Sequence, residues 1–205
     1  MEINKKGILL VLSGPSGSGK GTIVTQIVNE NPDFALSVSL TTRDPRPGEI
    51  DGVHYSFVTR DEFEKQIQDG NMLEYTEYCG NLYGTRESQV NALLEQGINV
   101  ILEIELEGAL NIKKLRPDAV LLMIVPPSYA VLEDRLRSRG TNTPEDIESR
   151  LMTAKIELQS LPEYHYCVIN ETGKSHIAAE TVCTIVAAER QKLTRNPGIL
   201  KDFYT

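Results

Sequence analysis

The chain has 205 residues, 40% of them hydrophobic and 24% charged, with a formal net charge of −8. Such a composition supplies a core for one folded domain and excludes a disordered chain. The acidic balance argues against a general nucleic-acid binder or a membrane-surface protein, leaving room only for a local basic cleft.

In chain order, the run from Ile8 to Leu12 is continuous rather than alternating, as for a strand buried on both faces of a parallel sheet. It is too short for a membrane span and no A-x-A-like cleavage site follows it, so a soluble cytoplasmic protein is expected. It runs into "GPSGSGKGT", Gly14 to Thr22, and then the apolar helix pattern "TIVTQIV". Strand, glycine-rich turn and helix together give Gly14-x4-Gly19-Lys20 its meaning as a P-loop. Without Cβ atoms in the way, backbone N–H groups converge on phosphate oxygens, while the helix N-terminus and Lys20 add favourable charge. The bland alternative is an ordinary glycine turn. Gly21 stands where many P-loops carry the Ser or Thr that ligates Mg²⁺, and Ser18 and Thr22 are the nearest hydroxyls. Mg²⁺ would then be held by phosphates, waters and carboxylates.

Between Phe34 and Tyr83 the pattern changes to shorter, polar-interrupted strands, "ALSVSL", "HYSFV" and "MLEYTEY", which suit a small mixed or antiparallel lobe inserted in the main fold. Thr59 and Glu62 form a capping box for a helix through "DEFEKQIQD", stopped at Gly70. Within "SVSLTTRDPRPGEIDGVHY", Arg43 and Arg46 stand three residues apart on a segment stiffened by the prolines flanking Arg46. Two guanidinium forks held this way suit a phosphate dianion, although Arg-x-x-Arg alone reads first as a solvated loop. Three cysteines, Cys79, Cys167 and Cys183, form no CxxC pair and are expected as buried spectator thiols in a reducing cytosol.

"GPSGSGKGT", "SVSLTTRDPRPGEIDGVHY" and "LEYTEYCGNLYGT", in this order, closely resemble guanylate kinases, which transfer a phosphoryl group from ATP to GMP. The resemblance extends to about Ala187. It implies a single α/β domain over 1–205: a P-loop core with a parallel sheet flanked by helices (about 1–34, 86–128 and 160–190), a small mixed-sheet GMP-binding lobe (about 35–85) and a helical lid (about 129–159). ATP and GMP, with dGMP beside GMP, would be the substrates, with Mg²⁺ accompanying ATP and with no nucleic-acid or membrane partner. The ATP site would draw on Gly14, Pro15, Ser16, Gly17, Ser18, Gly19, Lys20, Gly21 and Thr22. Ser39, Glu74 and Thr85 would contact guanine, while Arg43, Arg46, Tyr55 and Tyr83 would hold the GMP phosphate. Guanine offers donors at N1 and N2 and an acceptor at O6, so a carboxylate with hydroxyls is a natural reader. Alone, Glu74 would read as a solvent-facing strand residue, and the two tyrosines equally as half-buried packing residues.

Downstream, "INVILEIE" (Ile98–Glu105), "AVLLMIV" (Ala119–Val125) and "YCVI" (Tyr166–Ile169) repeat the buried-strand pattern between helical stretches, which argues α/β. Glu103 and Glu105 end the first of these runs. The resemblance directs Glu105 toward guanine and Glu103 toward the hydrated metal through water, with no direct protein ligand implied; many relatives carry aspartate at both positions, and ion pairing to an arginine is the alternative. In "VLEDRLRSRGTNTPEDIESRL", Arg135 and Arg139 share a helix face at i and i+4, with Arg137 pointing elsewhere. Arg150 follows on a second helix that begins at Thr143-Pro144 and runs to about Leu161. A solvated basic face explains the spacing as well, but the resemblance assigns Arg135, Arg139 and Arg150 to a lid closing over ATP. They would act in catalysis with Lys20 and Arg43, and Asn170, otherwise a turn residue, would lie near adenine.

A phosphate monoester with a second pKa near about 6 is largely dianionic at neutral pH, so in-line transfer needs no general base and the three histidines are bystanders. Two other readings compete: a non-catalytic module recognising phosphorylated partners, and a sugar-phosphate kinase. The complete glycine-lysine loop speaks against the first, and the purine-reading set Ser39, Glu74 and Thr85 against the second.

Overall fold

The apolar run at the start of the chain becomes the middle strand of a parallel sheet. The computed structural model describes residues 5–138, 143–199 and 204. In chain order it contains β1 (Leu9–Ser13), α1 (Lys20–Glu30), β2 (Phe34–Leu36), β3 (Leu40–Thr41), β4 (Ser56–Phe57), α2 (Arg60–Gln68), β5 (Met72–Tyr78) and β6 (Asn81–Arg86). There follow α3 (Glu87–Glu95), β7 (Asn99–Glu103), α4 (Leu106–Leu115), β8 (Val120–Val125), α5 (Tyr129–Ser138), α6 (Pro144–Gln159), β9 (Tyr166–Ile169) and α7 (Ser175–Arg190).

Five strands form one parallel sheet in the order β2-β7-β1-β8-β9. Alternate residues of β1 serve opposite faces: Leu10 and Leu12 pack with Ile23, Ile27 and Val182, whereas Leu9 and Val11 pack with Val90, Leu94 and Ile112. Helices α1 and α7 therefore cover one face, and α3 and α4 the other. This is why the strand reads as unbroken hydrophobicity. Parallel strands also send their C-terminal ends to a common edge, where open α/β sheets place their ligands. The P-loop leaves β1 there, Glu103 and Glu105 leave β7, and Asn170 leaves β9.

The second sheet is mixed, in the order β4-β3-β6-β5, with β3 parallel to β4 and the other pairs antiparallel. Phe63 of α2 seals it against Leu40 and Leu82. Both helix-start signals act as read: Thr59 with Glu62, and Thr143 with Asp146, form reciprocal capping boxes at α2 and α6. Cys79 and Gly80 both have positive φ, 50° and 76°, and close the β5–β6 hairpin as a two-residue turn between the paired Tyr78 and Asn81.

Two expectations need correction. The stretch "ALSVSL" divides: Ala35 and Leu36 pair with Val100 and Ile101 in the main sheet, and only Leu40 enters the small one. A lobe beginning at 35 would cut through an edge strand of the core. The cysteines are not buried spectators, because Cys79 and Cys167 are exposed and Cys183 half-buried. Cys79 occupies the hairpin turn, and Cys167 lies on edge strand β9, whose alternate residue Val168 takes the inward face. Among the described residues no helix is long and apolar enough to cross a membrane.

At Gly14 the backbone is left-handed, with φ 148°, and an added Cβ would stand 2.1 Å from the Ile124 carbonyl oxygen of β8. Gly48 has φ 86° but nothing within 4 Å. Gly48→Ala should therefore cost about 1–2 kcal/mol of backbone strain, and Gly14→Ala about 3 kcal/mol or more because a main-chain atom must also move. Urea unfolding of the two variants beside the parent checks the difference.

Candidate active site

Strand β1 delivers the chain into a loop whose shape depends on three glycines. Gly17 and Gly19 have φ of 93° and 89°, and Gly19 serves as the N-cap of α1 without a side-chain cap. The first-turn N–H groups of α1 are thus left for an anion rather than consumed by a capping side chain. The loop is braced from behind. Asn170 Nδ2 donates to the Ser18 carbonyl at 2.7 Å, and Arg135 Nη1 donates to the same oxygen at 3.3 Å. Arg135 Nη2 also donates to the Asn170 carbonyl at 2.8 Å and to Thr172 Oγ1 at 3.2 Å. Gly19 is what lets Asn170 approach, since a Cβ there would lie 2.3 Å from its amide nitrogen.

Lys20 is buried and its ammonium donates to the Gly14 carbonyl. Arg150 Nη1 reaches in from α6 and donates to Ser16 Oγ at 2.8 Å. Arg135 and Arg150 therefore converge on one loop from two helices, whereas Arg137 is exposed and paired with Glu133. Arg139 lies outside the described residues. Asn170, predicted near adenine, has its amide buried beneath the loop in the bond to Ser18. Thr22 and Gly21 are exposed at the start of α1, while Pro15 is buried in the loop, its carbonyl accepting from the Ser18 N–H at 3.0 Å.

Glu103 ends β7 beside this loop: a Cβ on Gly21 would come within 3.8 Å of its Oε1. Its carboxyl is pushed up by burial, an effect the charge of Lys20 opposes and that of Glu105 adds to. Among the described residues neither Glu103 nor Glu105 forms an ion pair with an arginine.

Across the second sheet a different set assembles. The β5–β6 register shifts between Met72 and Glu74, and Glu74 then stands opposite Thr85. Such a bulge re-aims a side chain. Glu74 is only 7% exposed, and Thr85 Oγ1 donates to its Oε1 at 2.8 Å. The solvent-facing reading of Glu74 is therefore set aside. Burial pushes its carboxyl up, and the Thr85 bond partly offsets this. Gly108 of α4 lies against the other oxygen, where a Cβ would stand 3.2 Å from Oε2.

Arg43 lies over Tyr55 and Phe57, at 5.4 Å and 5.8 Å from the ring centroids, and Tyr83 meets Tyr55 edge-on at 6.1 Å. Arg43, Tyr55 and Tyr83 are thereby brought together. Ser39 is half-buried next to β3, and its carbonyl accepts from Ser56 N–H at 2.9 Å. Arg46 contributes its backbone, with an exposed side chain.

The sequence reading missed Glu49. Its carboxylate takes both Arg43 guanidinium nitrogens at 2.9 Å and the Arg46 N–H at 2.7 Å. These bonds, led by Arg43, hold its carboxyl down at about 2. The signal was present: Pro47-Gly48 occupies the centre of a turn closed by Glu49 N–H on the Arg46 carbonyl at 3.0 Å, with φ 86° at Gly48. Pro-Gly after Arg46 folds the next carboxylate back onto the arginines.

The guanylate kinase family model matches residues 6–184. This chain belongs to the guanylate kinase family. Guanylate kinases of Lactococcus lactis subsp. lactis and Streptococcus agalactiae are 48% and 49% identical to it, over 94% and 96% of this chain and 93% of each relative. A crystal structure of guanylate kinase from Anaplasma phagocytophilum superposes with a TM-score of 0.75 at 29% identity, covering 94% of this chain and 91% of that one. In this member of the family, the loop braces and the Glu49 clamp lie within the matched span.

Thr85→Val keeps shape but removes the one hydroxyl bonded to the buried Glu74 carboxylate. Glu74 already holds its proton to higher pH in the folded chain than in the unfolded one, and the variant should raise that further. The variant should lose about 1–2 kcal/mol at pH 7, with the loss shrinking as pH falls and Glu74 protonates. Urea unfolding at pH 7 and pH 4.5 measures it.

Proposed function

We propose that this chain transfers the γ-phosphoryl group of MgATP to GMP, and also to dGMP, giving ADP and the nucleoside diphosphate. The observation that carries the reading is the buried Glu74 carboxylate with its Thr85 hydroxyl, in the same lobe as the Arg43–Tyr55–Tyr83 group. A buried carboxylate is costly unless donors meet it, and guanine N1–H and N2–H₂ supply two donors in the right direction. Arg43, Arg46 and the two tyrosine hydroxyls then serve the phosphate. On this reading the lobe after Leu36, through Thr85, binds GMP, and the segment from α5 to α6 is the lid. The protein is proposed to work in the cytoplasm, in purine nucleotide metabolism.

On the donor side, the exposed first turn of α1 and the Gly14–Gly19 backbone receive the ATP phosphates, and Lys20 exchanges the Gly14 carbonyl for a phosphate oxygen. Arg135 and Arg150 stand at the loop already, so closure brings their charge to the transferred group without reorganising the core. Asn170 holds the loop from beneath, on the side of the adenine. For Mg²⁺ the residues present fit a hydrated ion: Glu103 beside Gly21 offers a carboxylate, and Thr22 an exposed hydroxyl. Mg²⁺ takes oxygen ligands and keeps several waters. Bound with ATP, it would neutralise charge on the β- and γ-phosphates, with Glu103 holding it through water.

The acceptor oxygen is already anionic, so the residues have to align two repelling phosphates and exclude water rather than remove a proton. The first experiment is ADP release with MgATP against GMP, dGMP, AMP, UMP and a sugar phosphate. Preference for GMP and dGMP is expected, and equal turnover of AMP would defeat the reading. Lys20→Met should lower kcat by about 10³-fold or more with an unchanged circular dichroism spectrum.

Glu74→Gln places an amide NH₂ where a carboxylate oxygen accepted, turning one hydrogen bond into a donor–donor clash. Its kcat/KM for GMP should fall roughly 100-fold or more. Activity with AMP, which lacks N1–H and N2–H₂, should fall far less, so the GMP-to-AMP preference narrows. An unchanged preference would show that Glu74 does not read the base.

A further inference from the structure

Glu49 stands between the two arginines read as serving the acceptor phosphate, and its charge has the same sign as the ligand's. A carboxylate there works against anion binding unless it supplies something the arginines lack. Its own placement comes from the backbone. Glu49 Oε2 accepts from the Arg46 N–H at 2.7 Å, and the Glu49 N–H closes the Pro47-Gly48 turn on the Arg46 carbonyl at 3.0 Å. The carboxylate is thus aimed by main-chain bonds on both sides of the turn.

A guanidinium carries five N–H donors in one plane. On Arg43, Nη1 donates to Glu49 Oε2 at 2.9 Å and to the Asp44 carbonyl at 2.6 Å, while Nη2 donates to Glu49 Oε1 at 2.9 Å. These three bonds occupy the end of the fork and the hydrogen of Nη1 turned back toward the chain. Two donors remain, Nε–H and the second hydrogen of Nη2, side by side on one edge of the plane. The rings of Tyr55 and Phe57 fix the plane itself, and the Tyr83 phenol is a further polar neighbour. With the Arg43 and Glu49 side chains only 14% and 18% exposed, the pair is not a freely solvated surface bridge.

We propose that Glu49 is a positioning residue for the acceptor phosphate: by holding the end of the Arg43 fork it presents the side edge, Nε–H with Nη2–H, as a second bidentate face for the anion. Paired guanidinium bonds to a phosphate carry geometric specificity as well as energy. Arg43 then serves two anions at once, the carboxylate at its end and the phosphate at its side, and its rotamer freedom is given up before the nucleotide arrives. The proposal rests on the reading above in which Arg43 serves the GMP phosphate. A carboxylate that merely filled the place of the phosphate would compete with GMP, so its removal would strengthen binding; a positioning carboxylate gives the opposite sign.

The test compares the parent, Glu49→Gln, Arg43→Lys and the double variant Arg43→Lys/Glu49→Gln by steady-state kinetics at pH 7, with guanosine, which lacks the phosphate, as a competitive inhibitor against GMP. Glutamine keeps the size of the side chain but sets an NH₂ against a guanidinium N–H whichever way the amide is turned. Glu49→Gln should raise KM for GMP about tenfold. KM for ATP and the inhibition constant of guanosine should stay within about twofold, because neither ligand engages Arg43. Lysine replaces the fork by a point charge, so in the Arg43→Lys background Glu49→Gln should add less than about twofold.

An unchanged or lower KM for GMP in Glu49→Gln would overturn the proposal, the lower value marking Glu49 as a competitor. Equal weakening of GMP and guanosine would overturn it in favour of plain support of the lobe. Full multiplication of the two effects in the double variant would overturn the positioning of Arg43 while leaving Arg43 its role. If Arg43→Lys itself leaves KM for GMP unchanged, the reading of Arg43 as a phosphate ligand fails and the positioning with it. Glu49→Ala, which removes both oxygens, carries the same comparisons should the glutamine variant not fold.

Discussion

The carbonyl oxygen of Ser18 is the point on which the donor half of the site depends. It takes the amide of Asn170 and a nitrogen of Arg135, and through them joins β1, α5 and the end of β9. A loop rich in glycine loses more chain entropy on ordering than any other. Two donors on one buried carbonyl offset that cost at the place where the backbone has to turn. Gly14 and Gly19 are required beside it, because a Cβ at Gly19 would strike the Asn170 amide that braces the loop and one at Gly14 the Ile124 carbonyl of the neighbouring strand β8. The anion-binding shape is thus set before any phosphate arrives, which is the condition for electrostatic stabilisation without reorganisation.

A common principle runs through the cations of the site. Lys20 rests on the Gly14 carbonyl, Arg150 on Ser16 Oγ, and Arg43 on Glu49. Each is held in place by an internal oxygen that a phosphate oxygen resembles. Holding long side chains this way removes their rotamer freedom in advance, and the exchange of one acceptor for another keeps the charge satisfied throughout. The Glu49 pairing is the most constrained of these, being bidentate and stacked over two rings, so that on the proposed reading the acceptor phosphate would meet a fork already flattened and aimed.

The carboxylates follow a complementary logic. Glu74 is buried and satisfied by one hydroxyl, Glu103 lies beside Lys20, and Glu157 buries one carboxyl oxygen that has no hydrogen-bond partner among the described residues. Among the described residues none is ion-paired with an arginine. Groups left so, with their pKa values raised by burial, are disposed toward ligand donors rather than toward the protein's own cations.

Much of this was legible in the residues. The unbroken apolar runs announced a parallel sheet, since only strands covered on both faces read that way, and the two capping boxes started their helices where Thr59 and Thr143 predicted. The glycine spacing marked the phosphate loop because left-handed backbone next to a strand tolerates little else. The sequence alone did not divide "ALSVSL" between two sheets, since strand pairing is settled by which neighbour lies alongside and not by local propensity. Nor did it show Glu74 as buried: one bulge in β5 re-aimed it, and a one-residue shift reverses which face a side chain takes. Glu49 needed only its turn to be recognised, but the burial of one Glu157 oxygen could not be read from its own helix at all. Its neighbours Glu105, Lys20 and Tyr164 come from three other parts of the chain, and a carboxyl's protonation is decided by the charges and the burial that packing brings to it.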